Sequence, residues 1–143
     1  MARLMSRELI ESSIEICNND PDHLKRAQLL TGKVIIFALD TPDDKDVYVT
    51  YTFDKGKCTA YEMDEEDAPS ALRDRPFAPL KDGLARVTAS YEMFVKLDRG
   101  EIDAADAMNS SDYKIEGNMV MLLPLMQAVD SWTKKIREIP KEY

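Results

Sequence analysis

One histidine, two cysteines, one tryptophan and five glycines are spread over 143 residues. Each scarcity excludes something. Cys17 and Cys58 cannot build a disulfide framework and form no C-x-x-C motif, which points to a reducing compartment. With His23 as the sole imidazole, no tetrahedral zinc set stands out. No G-x-G-x-x-G, P-loop, H-E-x-x-H or G-x-S-x-G motif occurs, so the common signatures of nucleotide, zinc-hydrolase and serine-hydrolase chemistry are missing. The longest apolar run, Met119 to Met126, is far too short to span a bilayer. The first residues carry Arg3, Arg7 and Glu8 among their apolar positions, unlike a signal peptide. The last three, Lys141-Glu142-Tyr143, are not an S-K-L address. The expectation is a cytoplasmic protein with no integral membrane segment.

Positive charge is also short. Nineteen Lys and Arg face 27 Asp and Glu, for a formal net charge of −8. Phosphate backbones repel such a chain, so nucleic acid is not an expected partner. Bulk charge does not draw it to anionic membranes either. What is present suits one folded domain over 1–143: 44% hydrophobic residues supply a core, and the 32% charged residues are mixed in sign.

Periodicity places the elements. Leu9, Ile10, Ile14 and Cys17 recur at helical spacing and predict a helix over Arg3–Cys17. Asp20-Pro21 reads as an N-cap and first helical position, with a second helix to about Leu30 and Gly32 beyond it. Lys33–Leu39 is a short β-branched run suited to a central strand. Val47–Phe53 alternates, with Val47, Val49, Tyr51 and Phe53 on one face, and Asp54-Lys55-Gly56 turns it into a third strand over Lys57–Met63. Asp64–Asp82 follows as a long loop with an acidic start and Pro69, Pro76 and Pro79. Its length fits either a lid or a solvated insertion with a short helix near Ser70–Asp74. Leu84–Ala89 is a fourth strand, and Ser90 caps a helix Tyr91–Leu97 that Gly100 stops. A short helix Asp103–Met108 and a short strand Tyr113–Glu116 precede the strongest signal. Met119, Leu122, Met126, Val129, Trp132, Ile136 and Ile139 step by three or four, with Pro124 marking either a kink or the true start.

No residue constellation argues for catalysis. Cys58 lies on a strand between Lys57 and Thr59, and Asp64, Glu65, Glu66 and Asp67 lack the glycine and spacing of a calcium loop. No catalytic residue, metal or cofactor is expected. Binding has more to build on. Five of the eight methionines, Met93, Met108, Met119, Met121 and Met126, fall after residue 90, and flexible thioethers suit irregular apolar ligands. Met121 and Leu125 make the start of the last helix apolar on a second side, which faces a cavity, a core or a dimer interface.

The order of elements over Val87–Met126 adds to this. Val87–Ser90, Phe94, Gly100-Glu101-Ile102-Asp103, Met108 and Lys114-Ile115-Glu116-Gly117-Asn118 resemble the C-terminal half of the sterol carrier protein type-2 family, as in a standalone prokaryotic-like member. Gly32–Met63 is similar to its opening, so the resemblance spans Leu24 to Trp132. Three departures stand out: Ser111-Asp112 replaces the usual Gly-Lys, Asp64–Asp82 is longer and richer in proline, and residues 1–20 hold an added helix that can serve a homodimer.

The resemblance implies an α/β (α+β) fold, a twisted five-stranded mixed sheet with helices packed on one face. It implies an apolar tunnel between the two layers, without a catalytic centre, that takes a fatty acyl chain, acyl-CoA, phospholipid or sterol. By position, Phe94, Met108, Met119, Leu122, Leu123 and Met126 would line it, with Tyr61 and Phe77 added from a strand and the long loop. The basic end of the last helix, Lys134, Lys135 and Arg137, either meets a head group or complements the helix dipole. Two other functions remain open at this point: an interaction or dimerisation module with a vestigial pocket, and an unrecognised enzyme acting on acyl substrates.

Overall fold

The structure is a computed structural model that describes residues 2–117 and 119–143, without the side chains at 104, 119 and 121–124. Two capped helices open the chain. In α1 (Arg7–Asn18) the Ser6 hydroxyl accepts a hydrogen bond from the Leu9 amide at 3.2 Å. In α2 (Pro21–Arg26) the Asp20 carboxylate accepts from the His23 amide at 3.0 Å, and Pro21 takes the first helical position. α1 starts later than its apolar spacing predicts because the residues before it do other work. The Leu4 amide donates to the Glu142 carbonyl at 3.0 Å, and the Glu142 amide donates to the Ala2 carbonyl at 2.8 Å. The two ends of the chain are thereby tied together.

Five strands form one mixed sheet: β1 (Gly32–Leu39), β2 (Lys45–Asp54), β3 (Lys57–Asp67), β4 (Ala85–Ser90) and β5 (Tyr113–Gly117), in the order β3-β2-β1-β4-β5. Only β1 and β4 run parallel; Val34 pairs with Ala85 there. The β2–β3 turn uses Lys55 and Gly56 at φ values of 51° and 88°, the two positive angles of a tight hairpin. Gly56 also lies so close to α2 that a Cβ would meet the Ala27 carbonyl oxygen at 2.6 Å.

The acidic run after Met63 continues the strand instead of turning: Glu65, Glu66 and Asp67 pair with Val47, Asp46 and Lys45. β3 is an edge strand, where charge is solvated and guards the open edge. Lys45 pairs with Asp67, and Arg75 with Asp64 at 3.0 Å.

The sheet has two faces with different covers. Val34, Val49, Phe53 and Ala85 point to α1 and to α5 (Met119–Arg137), and pack against Ile10, Leu125 and Ala128. Ile35, Phe37 and Tyr48 point the other way and are covered by Leu72 and Phe77 of the segment after β3, which holds a 3-10 turn at Ala71–Asp74. A buried network anchors that segment. Asp46, wholly buried, accepts from the Ser70 amide at 3.0 Å, the Ser70 hydroxyl at 2.7 Å and Arg73 at 2.8 Å. Burial pushes the Asp46 carboxyl up, but Arg73 and Ser70 outweigh it and hold it well below the usual carboxylate range.

α3 (Tyr91–Arg99) is capped by Ser90 as its sequence predicts and stops at Gly100, whose φ of 74° is the left-handed C-cap. α4 (Ala104–Met108) carries a capping box between Asp103 and Asp106. α5 includes position 124 within its range, so Pro124 does not mark its start.

Candidate functional site

Between the sheet and the helices lies a cavity of about 140 Å³. Its floor is the helix-facing side of the sheet: Val34 and Ile36 of β1, Tyr51 and Phe53 of β2, Val87 of β4 and Tyr113 of β5. Its roof is Phe94, Leu97 and Asp98 of α3 with Ala128, Val129, Trp132, Thr133 and Ile136 of α5. His23 of α2, Leu30, and Leu4 and Met5 from before α1 complete the wall.

Helix geometry explains the roof. At about 100° per residue, Leu125, Val129, Trp132 and Ile136 fall within an arc of about 60°. That arc faces the sheet, with Leu125 in the packed core and the other three against the cavity. Met126 stands about 100° round from Leu125 and is 36% exposed. Trp132 is the hub of an aromatic cluster, edge-on to Tyr51 at 5.7 Å, Phe53 at 5.6 Å and His23 at 5.8 Å.

Asp98 and Thr133 on the wall are already engaged. The Thr133 hydroxyl donates to the Val129 carbonyl at 2.9 Å. Asp98 accepts two bonds from Lys141, at 3.0 and 2.8 Å, and one from the Tyr143 hydroxyl at 2.5 Å. Burial and Asp98 push the Tyr143 phenol up to about 12. Burial likewise pushes the Tyr51 phenol up. The His23 ring is 2% exposed, with Nδ1 2.7 Å from the Ser131 hydroxyl oxygen and Nε2 without a partner. Burial pulls its pKa below the ordinary 6.5, Lys135 and Arg26 pull the same way, and Asp20 opposes them.

The residues predicted from the sequence are spread more widely than this cavity. Phe94 lines it. Tyr61 sits where β3 meets α1, its hydroxyl donating to Glu11 at 2.6 Å and accepting from Arg7 at 3.1 Å. Phe77 packs on the opposite face of the sheet, with the Arg86 guanidinium 5.4 Å from its ring centre. Met108 is 45% exposed at the end of α4. The side chains of Met119, Leu122 and Leu123 lie outside the described residues. The segment weighed as a lid also covers the far face, away from the cavity.

The basic end of α5 is spoken for within the chain. Lys135 meets Asp20 at 2.5 Å, Lys134 meets Asp130 at 3.0 Å, and Arg137 donates to the Asp98 and Leu97 carbonyls at 3.1 and 2.8 Å. Neither cysteine is an activated nucleophile: burial raises both thiols, Cys17 to about 12.

A family model described as the SCP-2 sterol transfer family matches residues 14–130. The chain belongs to the SCP-2 sterol transfer family. Solved structures share the fold. A crystal structure of sterol carrier protein 2 superposes with a TM-score of 0.75 at 17% identity, covering 96% of this chain and 100% of that one. The solution structure of a conserved hypothetical protein from Thermus thermophilus gives 0.74 at 16% identity, covering 99% and 93%. Sterol carrier protein domain 2 of Helicoverpa armigera gives 0.53 at 16% identity, covering 94% and 93%. No curated protein sequence matches the chain. Among the described residues, no helix of this SCP-2 family member is long and apolar enough to cross a membrane.

Proposed function

We propose that this chain binds, and passes on, a lipid whose apolar part enters the cavity between sheet and helices, without transforming it. The observation that carries the reading is the cavity itself, walled by aliphatic and aromatic side chains from both layers. Membership of the SCP-2 sterol transfer family and the likeness to sterol carrier protein structures support it. The engaged polar groups favour binding over catalysis: the Asp98 carboxylate is taken by Lys141 and Tyr143.

Each methylene moved from water into such a site contributes about 0.8 kcal/mol. A cavity of about 140 Å³ is close to the roughly 150 Å³ that holds one benzene ring. A longer acyl chain or a sterol therefore requires α3, α5 or the tied chain ends to move apart as it enters. The ligand classes consistent with this are fatty acyl chains, acyl-CoA, phospholipids and sterols.

The test is to identify by mass spectrometry what co-purifies, strip the protein with organic solvent and titrate it with a fluorescent fatty acid. Saturable binding is expected. No saturation up to about millimolar ligand, where the binding free energy is only about −4 kcal/mol, overturns the reading.

A further inference from the structure

His23 is an odd residue to find in this wall. It is the chain's only histidine, it sits on a short helix among charged residues, and it is nine-tenths buried and more. Nδ1 is 2.7 Å from the Ser131 hydroxyl oxygen, while Nε2 is buried with no partner. Counting protons decides which way that contact runs. If Nδ1–H donates to Ser131, the Ser131 hydrogen is left without an acceptor and Nε2 without a donor, two unmet groups. If the Ser131 hydroxyl donates to Nδ1, the proton lies on Nε2 and a single N–H is unmet. A buried polar group without a partner is costly, so the second arrangement, with fewer of them, is favoured. The ring edge remote from Nδ1 is then the one left to meet an occupant.

We infer that His23 is the polar anchor of the cavity, its Nε2–H donating to a neutral carbonyl oxygen on an otherwise apolar ligand. A neutral donor suits a neutral acceptor, because an ionised carboxylate would carry its full desolvation cost into this wall. The preferred class is therefore a long-chain ketone or ester ahead of the matching hydrocarbon. This inference rests on the lipid-binding reading and deepens it.

The test uses the stripped full-length chain with two probes, a methyl alkyl ketone and the alkane of equal length. With one histidine, ¹⁵N-histidine labelling gives a single ring to watch. Nε2 is expected to carry the proton, and its resonance is expected to move on adding the ketone and to stay put with the alkane. His23→Phe keeps a flat ring and removes the donor. It should weaken the ketone about tenfold more than the alkane, the worth of one buried hydrogen bond. A proton on Nδ1 in the wild type overturns the inference, whether or not the variant folds. Equal loss of both probes in His23→Phe overturns it too and makes His23 a plain part of the wall. If neither probe binds the wild type, the lipid-binding reading itself has failed, a different result from the first two.

Discussion

Lys141 Nζ lies 2.8 Å from Asp98 Oδ2, and both side chains are almost wholly buried. Asp98 also lines the cavity, and the pair ties it to the segment after α5. Breaking a buried pair by removing one partner leaves an uncompensated charge, at a cost of about 3–5 kcal/mol. Lys141→Met should lower the unfolding free energy in urea by about that much. Lys141→Met with Asp98→Asn should recover part of it. A single variant within about 0.5 kcal/mol of wild type would show that the pair is open to water in solution.

Leu125 and Met126 are neighbours with opposite fates. Leu125 is 5% exposed in the main core, and Met126 is 36% exposed on the flank of α5. Leu125→Glu buries a charge and should cost several kcal/mol, a large share of a domain's usual 5–15 kcal/mol. Met126→Glu should stay within about 1 kcal/mol. Thermal melts of both variants check the rotation of α5.

Trp132, the only tryptophan, stands against the cavity. Its emission should shift saturably as a lipid enters. Val129→Phe adds volume beside it and should weaken binding at least tenfold, at a stability cost of about 1–3 kcal/mol from overpacking. Unchanged affinity in Val129→Phe would place the ligand elsewhere.

Acid should act in two stages. His23 titrates lower in the folded state than its ordinary 6.5. Between those two values the unfolded chain binds the extra proton, so stability is full above 6.5 and falls as pH drops below it. Asp46 is depressed from an ordinary 3.8, so its contribution is full above 3.8 and lost below it. Asp20, facing His23, is also depressed and belongs to the second stage. Urea midpoints against pH should show both stages. His23→Gln should erase the first and keep the second.

Much of the scaffold is legible in the chain because its signals are local. Ser90 and Gly100 bracket α3 through one hydroxyl and one left-handed angle. The alternation of β2 shows because one face of it meets the helix-side core. β3 extends past its apolar alternation because an edge strand needs none. The cavity is much less legible. Its lining depends on how α5 is rotated and on pieces as far apart as Leu4 and Ile136, and neither leaves a mark in spacing. His23 sits among Pro21, Asp22, Lys25 and Arg26, where nothing local tells a buried imidazole from an exposed one.

The same scatter has a consequence for synthesis. The sheet's apolar face, with Val34, Tyr51 and Phe53, is complete once β5 has been made, but α5, which shares the roof with α3, follows it. Until α5 is made, a growing chain therefore carries a sheet face that is only partly covered, the exposure that invites aggregation. A fragment ending at residue 117 should bind anilinonaphthalene sulfonate strongly and precipitate at concentrations where the whole chain stays clear. Adding α5 as a separate peptide should suppress both.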